Sequence, residues 1–134
     1  MTHIDERTRH APRMTMKKTN LDEAFASFTE TWSPRIVGEL NNQHVKLAKL
    51  AGEFVWHRHE EEDELFLVLH GRLAIHLRDQ VIELNAGEFF IVPRGIEHKP
   101  VAENEVHVLL FEPSTTINTG NLRSDLTVDT PHRL

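Results

Sequence analysis

The sequence predicts an all-β fold, a sandwich or barrel, with one short helix ahead of the strands. Two observations predict it. Between Arg35 and Pro113, apolar runs of four to seven residues recur at even spacing, separated by the turn residues Gly52, Gly71, Asp79-Gln80, Gly87 and Pro93. Ahead of that series, Leu21, Phe25 and Phe28 fall at helical spacing.

Residues 1–19 mix charges, Thr and His without periodicity and read as a flexible arm, free to order on a partner subunit. Asn20 can cap a helix by accepting from an orphan N–H of the first turn, and Glu23 stands three residues on, as in a capping box. A helix over 20–30 is predicted, ended by Trp32-Ser33-Pro34. Strand texture begins at Arg35. Val45–Ala51 alternates loosely, Leu65–Leu69 is continuously apolar, and Leu73–Leu77 alternates around Ala74 and His76. Val81–Leu84 follows the Asp79-Gln80 turn, Phe89–Val92 stops at Pro93, and Val106–Phe111 stops before Pro113. The chain is polar beyond that point, so 20–113 reads as one domain and 114–134 as a C-terminal tail.

Leu65, Leu67 and Leu69 face one side of their strand, Phe66 and Val68 the other. A strand apolar on both faces is covered on both. One cover is the barrel interior. The other is a second sheet, the helix or another copy of the chain, and a homodimer is expected.

Composition removes several functions. The formal net charge is −6 and Lys and Arg form no run, which argues against a nucleic-acid partner. Without cysteine there is no thiol nucleophile, iron–sulfur cluster or disulfide. Met1–Lys18 has no apolar core of signal-peptide length and no stretch is apolar enough to span a bilayer, so a soluble, cytoplasmic protein without a membrane partner is expected. G-x-S-x-G, a phosphate-binding glycine loop and a Ser/His/Asp pattern are all missing.

The ten histidines matter by their placement. His57 and His59 stand two apart on a predicted strand and so share a face. Glu64 opens the next apolar strand, and His98 follows the Pro93-Arg94-Gly95 turn. Three imidazoles and a carboxylate form a ligand set for one divalent transition metal: Fe, Mn, Ni, Co or Zn. Asp63 competes with Glu64, and the spacing favours Glu64.

The segment 52–98 resembles the two motifs of the cupin superfamily. The first motif reads G-x5-H-x-H-x3-4-E-x6-G. Here Gly52 comes one residue too close to His57, and His57, His59, Glu64 and Gly71 then match in full. The second reads G-x5-P-x-G-x2-H-x3-N. Gly87, Pro93, Gly95 and His98 match, while Ala102 replaces the closing Asn. The 15 residues between Gly71 and Gly87 are similar to the spacing of small microbial cupins. The resemblance implies a double-stranded β-helix, a small jelly-roll barrel with the metal inside one mouth. It also implies an enzyme of isomerase, lyase, decarboxylase or dioxygenase type acting on a small sugar-like or carboxylate molecule. The alternative is a non-catalytic module that binds a small ligand through the same metal.

No catalytic residue beyond the ligands is identified. Glu60, Glu61, Glu62 and Asp63 read as a solvated acidic turn, with a general acid or base among them as the alternative. Trp56 is expected outside the barrel and Arg94 at the surface. His76 and His107 read as hydrogen-bonded structural histidines; His3, His10 and His132 belong to the solvated tails. Phe66, Phe90 and Phe111 are expected in the core, with Phe90 able to line a pocket.

Overall fold

The structure is a computed structural model and describes residues 16–134. Among these residues one helix, α1 (Leu21–Ala26), precedes eight strands. These are β1 (Arg35–Leu40), β2 (Gln43–Glu53), β3 (Glu64–His70), β4 (Arg72–Leu77), β5 (Val81–Asn85), β6 (Phe89–Val92), β7 (His98–Pro113) and β8 (His132–Arg133). Most of the expected arm, with His3 and His10, lies outside the described residues; 16–19 have no regular structure.

β7 is the spine. β2 runs antiparallel along one edge of it, from Gln43 opposite Pro113 to Glu53 opposite Val101. The other edge is shared: β3 pairs with His107–Phe111 and β4 with His98–Val101. β6 adds to β3, β5 to β4, and β1 and β8 extend beyond β2. The result is the all-β jelly-roll barrel, with one short helix, that the strand pattern and the motif resemblance predict. Alternation decides what faces inward. His44, Lys46, Ala48 and Leu50 of β2 are buried in turn, as are Val106, Val108, Leu110 and Glu112 of β7. Ala48, Leu50, Phe66, Val68, Leu73 and Ile75 form part of the barrel core.

α1 begins as expected, with Asn20 Oδ1 accepting from Glu23 N at 2.9 Å. It is shorter than the predicted 20–30. The N–H and Oγ of Ser27 both turn back to Ala24 O, at 3.1 and 2.6 Å, which caps the helix there. Phe28 O is taken instead by Lys49 Nζ at 2.6 Å. Phe25 and Phe28 pack on Leu47 outside the barrel, with Leu69 and Leu109 against them. The helix therefore covers one end of the outer β3 face. At the other end Phe89 and Ile91, cross-strand partners of Leu67 and Leu65, are 60% and 47% exposed.

Three expectations need correction. The His57–His59 segment is not part of a strand: β2 ends at Glu53, and one isolated bridge, His57 with His98, holds the chain beyond it. Phe111 points outward, opposite Leu65 and Val45, while the buried Glu112 faces in. Residues 114–128, expected as a tail, form turns packed on the barrel, with Thr119 completely buried. His132 is exposed and pairs β8 to Arg35 of β1. Among the described residues no helix is long and apolar enough to cross a membrane.

Candidate metal centre

His57, His59, Glu64 and His98 come together with one ligand atom from each within 4.8 Å of all the others. All four are buried, with at most 4% of any residue exposed. Glu64 opens β3 and His98 opens β7. The two histidines between β2 and β3 are held by their backbones. His57 exchanges both hydrogen bonds with His98, at 3.1 and 2.9 Å. His59 O accepts from Gly95 N at 2.7 Å. Between them, Arg58 N donates to Asn121 Oδ1 and Arg58 O accepts from Asn121 N, at 2.9 and 3.0 Å. The Pro93–Gly95 turn and the C-terminal segment therefore set the aim of the imidazoles. Gly95, at φ +80°, supplies the left-handed step that brings its N–H there.

His57 and His98 share a local device. Each places Nδ1 2.9 Å from the carbonyl oxygen two residues earlier, Val55 and Ile96. A carbonyl only accepts, so Nδ1 carries the proton in both and the Nε2 lone pair faces the cluster. His98 Nε2 lies 3.3 Å from Glu64 Oε1 and His59 Nε2 lies 3.4 Å from it. Both nitrogens of His59 lack a hydrogen-bond partner although the side chain is buried. An orphaned buried imidazole facing a carboxylate and two more imidazoles is what a divalent ion would satisfy.

The electrostatics agree. Burial, reinforced by His98, lowers the pKa of His57 to about 4, so its imidazole is neutral at neutral pH and free to ligate. Burial pulls the His59 pKa down, and the Glu64 carboxylate more than offsets it, leaving the value raised. Burial works against the Glu64 carboxylate too, but the imidazoles of His59 and His98 beside it hold its pKa well below the usual range. Three imidazoles and one carboxylate suit a borderline divalent transition metal, and the identity of the metal is left open by the donor set.

The sequence reading missed a buried pair behind Glu64. Lys46 Nζ lies 2.9 Å from Glu112 Oε1, with both side chains inside the barrel. Burial and then the charge of Glu64 push Glu112 well above the ordinary carboxyl range. The signal was present in the inward register of β2 and β7. It also missed the cavity wall. A small cavity of about 30 Å³ has His57 and Glu64 in its wall with Trp32, Leu50, Phe54, Phe66 and Leu110. Apart from His57, Glu64 and Asn118 the wall of this cavity is apolar.

The remaining candidates lie elsewhere. Asp63 points away and its Oδ1 accepts from Arg94 N at 2.8 Å, so Glu64 is the inward carboxylate. Glu60 and Glu61 are exposed, with Glu60 on Arg58 and Glu62 on Thr115. Trp56 lies outside under Arg78, 3.8 Å from ring centre to guanidinium carbon. His76 is on the outer side of β4, and His107 stacks on Phe25 at 4.5 Å. Arg94 is exposed, and Phe90 packs against the core.

A family model for the cupin domain matches residues 43–112. The chain belongs to the cupin family. A cupin-2 domain containing protein from Shewanella frigidimarina is 46% identical over 71% of this cupin and 93% of its own chain, with a TM-score of 0.70. NMB1881 from Neisseria meningitidis is 29% identical over 73% of this chain and all of its own, with a TM-score of 0.68. The uncharacterised protein YdbB of Bacillus subtilis is 39% identical over 64 residues; the match spans 47% of this chain and 57% of that protein.

Proposed function

We propose that this cupin is a metal-dependent enzyme acting on a small molecule, with one divalent ion held by His57, His59, Glu64 and His98. The observation that carries the reading is the position of the cluster: two of its four members, His57 and Glu64, also line the cavity. A bound ion there supplies Lewis-acid polarisation of a carboxylate, carbonyl or enediol oxygen, or redox chemistry with dioxygen. The chain's own part is to hold neutral imidazoles in a fixed tautomer, keep Glu64 ionised, and shield the reacting end from water. Isomerase or lyase chemistry is preferred over oxygenation. One observation favours a second reading, a non-catalytic ligand-binding module. Among the described residues the titratable side chains in the cavity wall are His57 and Glu64, both of the cluster, with no separate acid or base beside them.

The test is metal content of the purified protein, beside His57→Ala. About one equivalent of iron, manganese, nickel, cobalt or zinc, lost in the variant, supports the site, and the metal found directs the assays. Iron calls for dioxygen uptake and the others for isomerase and lyase substrates. No uptake of any of these ions sinks the reading. A metal-loaded protein that binds ligands without turning them over favours the module.

The expected homodimer is part of the proposal. Phe89 and Ile91 stand exposed beside Leu65 and Leu67 at the end of the β3 face that α1 leaves open. A second copy placed there gives those side chains the cover that a doubly apolar strand requires.

A further inference from the structure

We propose that a groove beside His59, separate from the small cavity that His57 and Glu64 line, binds a small amino alcohol. This goes beyond the metal reading above and stands without it. The groove encloses about 220 Å³. Glu60, Glu61 and Glu62 line it from the turn ahead of β3, and Gly120 and Asn121 line it from the C-terminal segment. His59 is the buried member of the lining, with 2% of its side chain exposed.

His59 makes this groove more than a solvated acidic turn. Neither of its ring nitrogens has a hydrogen-bond partner. Nε2 lies 3.4 Å from Glu64 Oε1 and so belongs to the cluster. An ion there takes one nitrogen from each imidazole, which leaves Nδ1 unserved. In His57 and His98 a backbone carbonyl occupies Nδ1; His59 has no such partner. Its Nδ1 lies on the side of Gly120, where a Cβ would come within 3.2 Å of it, and Gly120 lines the groove. A buried polar atom without a partner is costly, so the groove has a place for a ligand atom that bonds this nitrogen. A hydroxyl fits best, because it can accept from Nδ1–H or donate to a bare Nδ1 and so serves either tautomer.

The charge of the lining sets the rest of the ligand. It has three carboxylates and neither Lys nor Arg. Arg58 offsets Glu60. Glu62 Oε2 accepts from Thr115 Oγ1 at 2.8 Å, a neutral donor that leaves the charge of Glu62 in place. Glu61 is exposed. Such a rim attracts an ammonium group and repels a carboxylate. The volume lies below the roughly 300 Å³ at which sites for drug-sized molecules begin, so the occupant is small. An ammonium on Glu61 and Glu62, with a hydroxyl on His59, meets all three conditions.

The test is a titration of the full chain, labelled with 15N and treated with EDTA, at neutral pH and low salt. The His59 ring and the Gly120 and Asn121 amides are read by NMR. The probes are 1-amino-2-propanol, propylamine, 1,2-propanediol and lactate. Propylamine lacks the hydroxyl, the diol lacks the charge, and lactate reverses it. Saturable shifts at His59, Gly120 and Asn121 are expected with 1-amino-2-propanol. Propylamine should bind about fivefold more weakly, the loss of one neutral hydrogen bond. The diol and lactate should bind at least about tenfold more weakly, the loss of a charge-assisted one. In Glu61→Gln/Glu62→Gln, 1-amino-2-propanol should lose about fivefold or more while the diol is unchanged. Absence of a saturable shift would leave water as the partner of His59 and overturn the proposal. Equal binding of any other probe, or an unaffected double variant, would overturn it as well. Zinc is added to a separate sample, so a failure to take up metal sinks the metal reading without touching the groove.

Discussion

A Cβ on Gly120 would lie 2.2 Å from the carbonyl oxygen of Arg58 and 3.2 Å from His59 Nδ1. The C-terminal segment therefore touches the backbone between two histidines of the candidate metal centre at a distance that only glycine permits, and Gly120 is also at φ +56°. In Gly120→Ala the segment or the Arg58–His59 strip has to move. Unfolding free energy should fall by about 1–3 kcal/mol, the usual cost of overpacking. Metal affinity should fall with it, since His59 is displaced. Urea denaturation and a competitive zinc titration check both, and an unchanged affinity would separate Gly120 from the site.

Lys46 and Glu112 make a second prediction. Lys46→Met leaves Glu112 buried beside the Glu64 charge with no cation. Removing one partner of such a pair costs about 3–5 kcal/mol, whereas replacing both with apolar groups of similar size is often neutral. Lys46→Met should therefore be strongly destabilised, and Lys46→Met/Glu112→Leu should recover most of the loss. Equal stability of Lys46→Met and wild type in urea would show that the pair does not support the barrel.

Acid should destabilise the metal-free protein through His57. Its pKa is about 4 in the folded protein, against the ordinary 6.5 of a solvated imidazole. The unfolded chain thus takes up a proton first as pH falls, and the stability present above pH 6.5 drains away toward pH 4. The loss between pH 7 and 4 is roughly 3 kcal/mol from this group alone. Glu112 acts in the opposite sense, because its raised value favours folding as pH falls toward 4.5. The effect of His57 is isolated by comparison with His57→Gln. Wild type should lose stability more steeply across this window in EDTA-treated protein, and parallel curves would contradict it.

The open β3 face makes a prediction about assembly. Phe89→Glu should shift the protein to monomer in light scattering at micromolar concentration. A wild type already monomeric there would end the dimer proposal.

The fold was readable because apolar strand runs and glycine turns obey local rules, and the segments 65–69, 73–77 and 89–92 all lie within strands. The first half of β7 was hidden. His98, Pro100 and Ala102 face inward, but none of them marks a strand by its apolarity. Lys46 and Glu112 escaped notice because a buried charge on an inward register looks like a break in the pattern until its partner is known. The four residues of the candidate metal centre could be picked out by their spacing, and the structure brings all four together. What spacing could not show was their surroundings. Trp32, Phe54 and Asn118 reach the cavity from segments outside the strands, and Asn121 clamps Arg58 from outside the matched motifs.

β7 also imposes an order of events as the chain is made. β2, β3 and β4 all leave the ribosome before the strand that joins them, and His98, the last member of the histidine cluster, is the first residue of that strand. Until residue 113 has emerged, the nascent chain carries three apolar strands with unpaired edges, the condition in which β proteins are most open to aggregation. Closure is then a single late event with distant partners, which favours slow folding. The barrel and the histidine cluster are therefore completed in the same step.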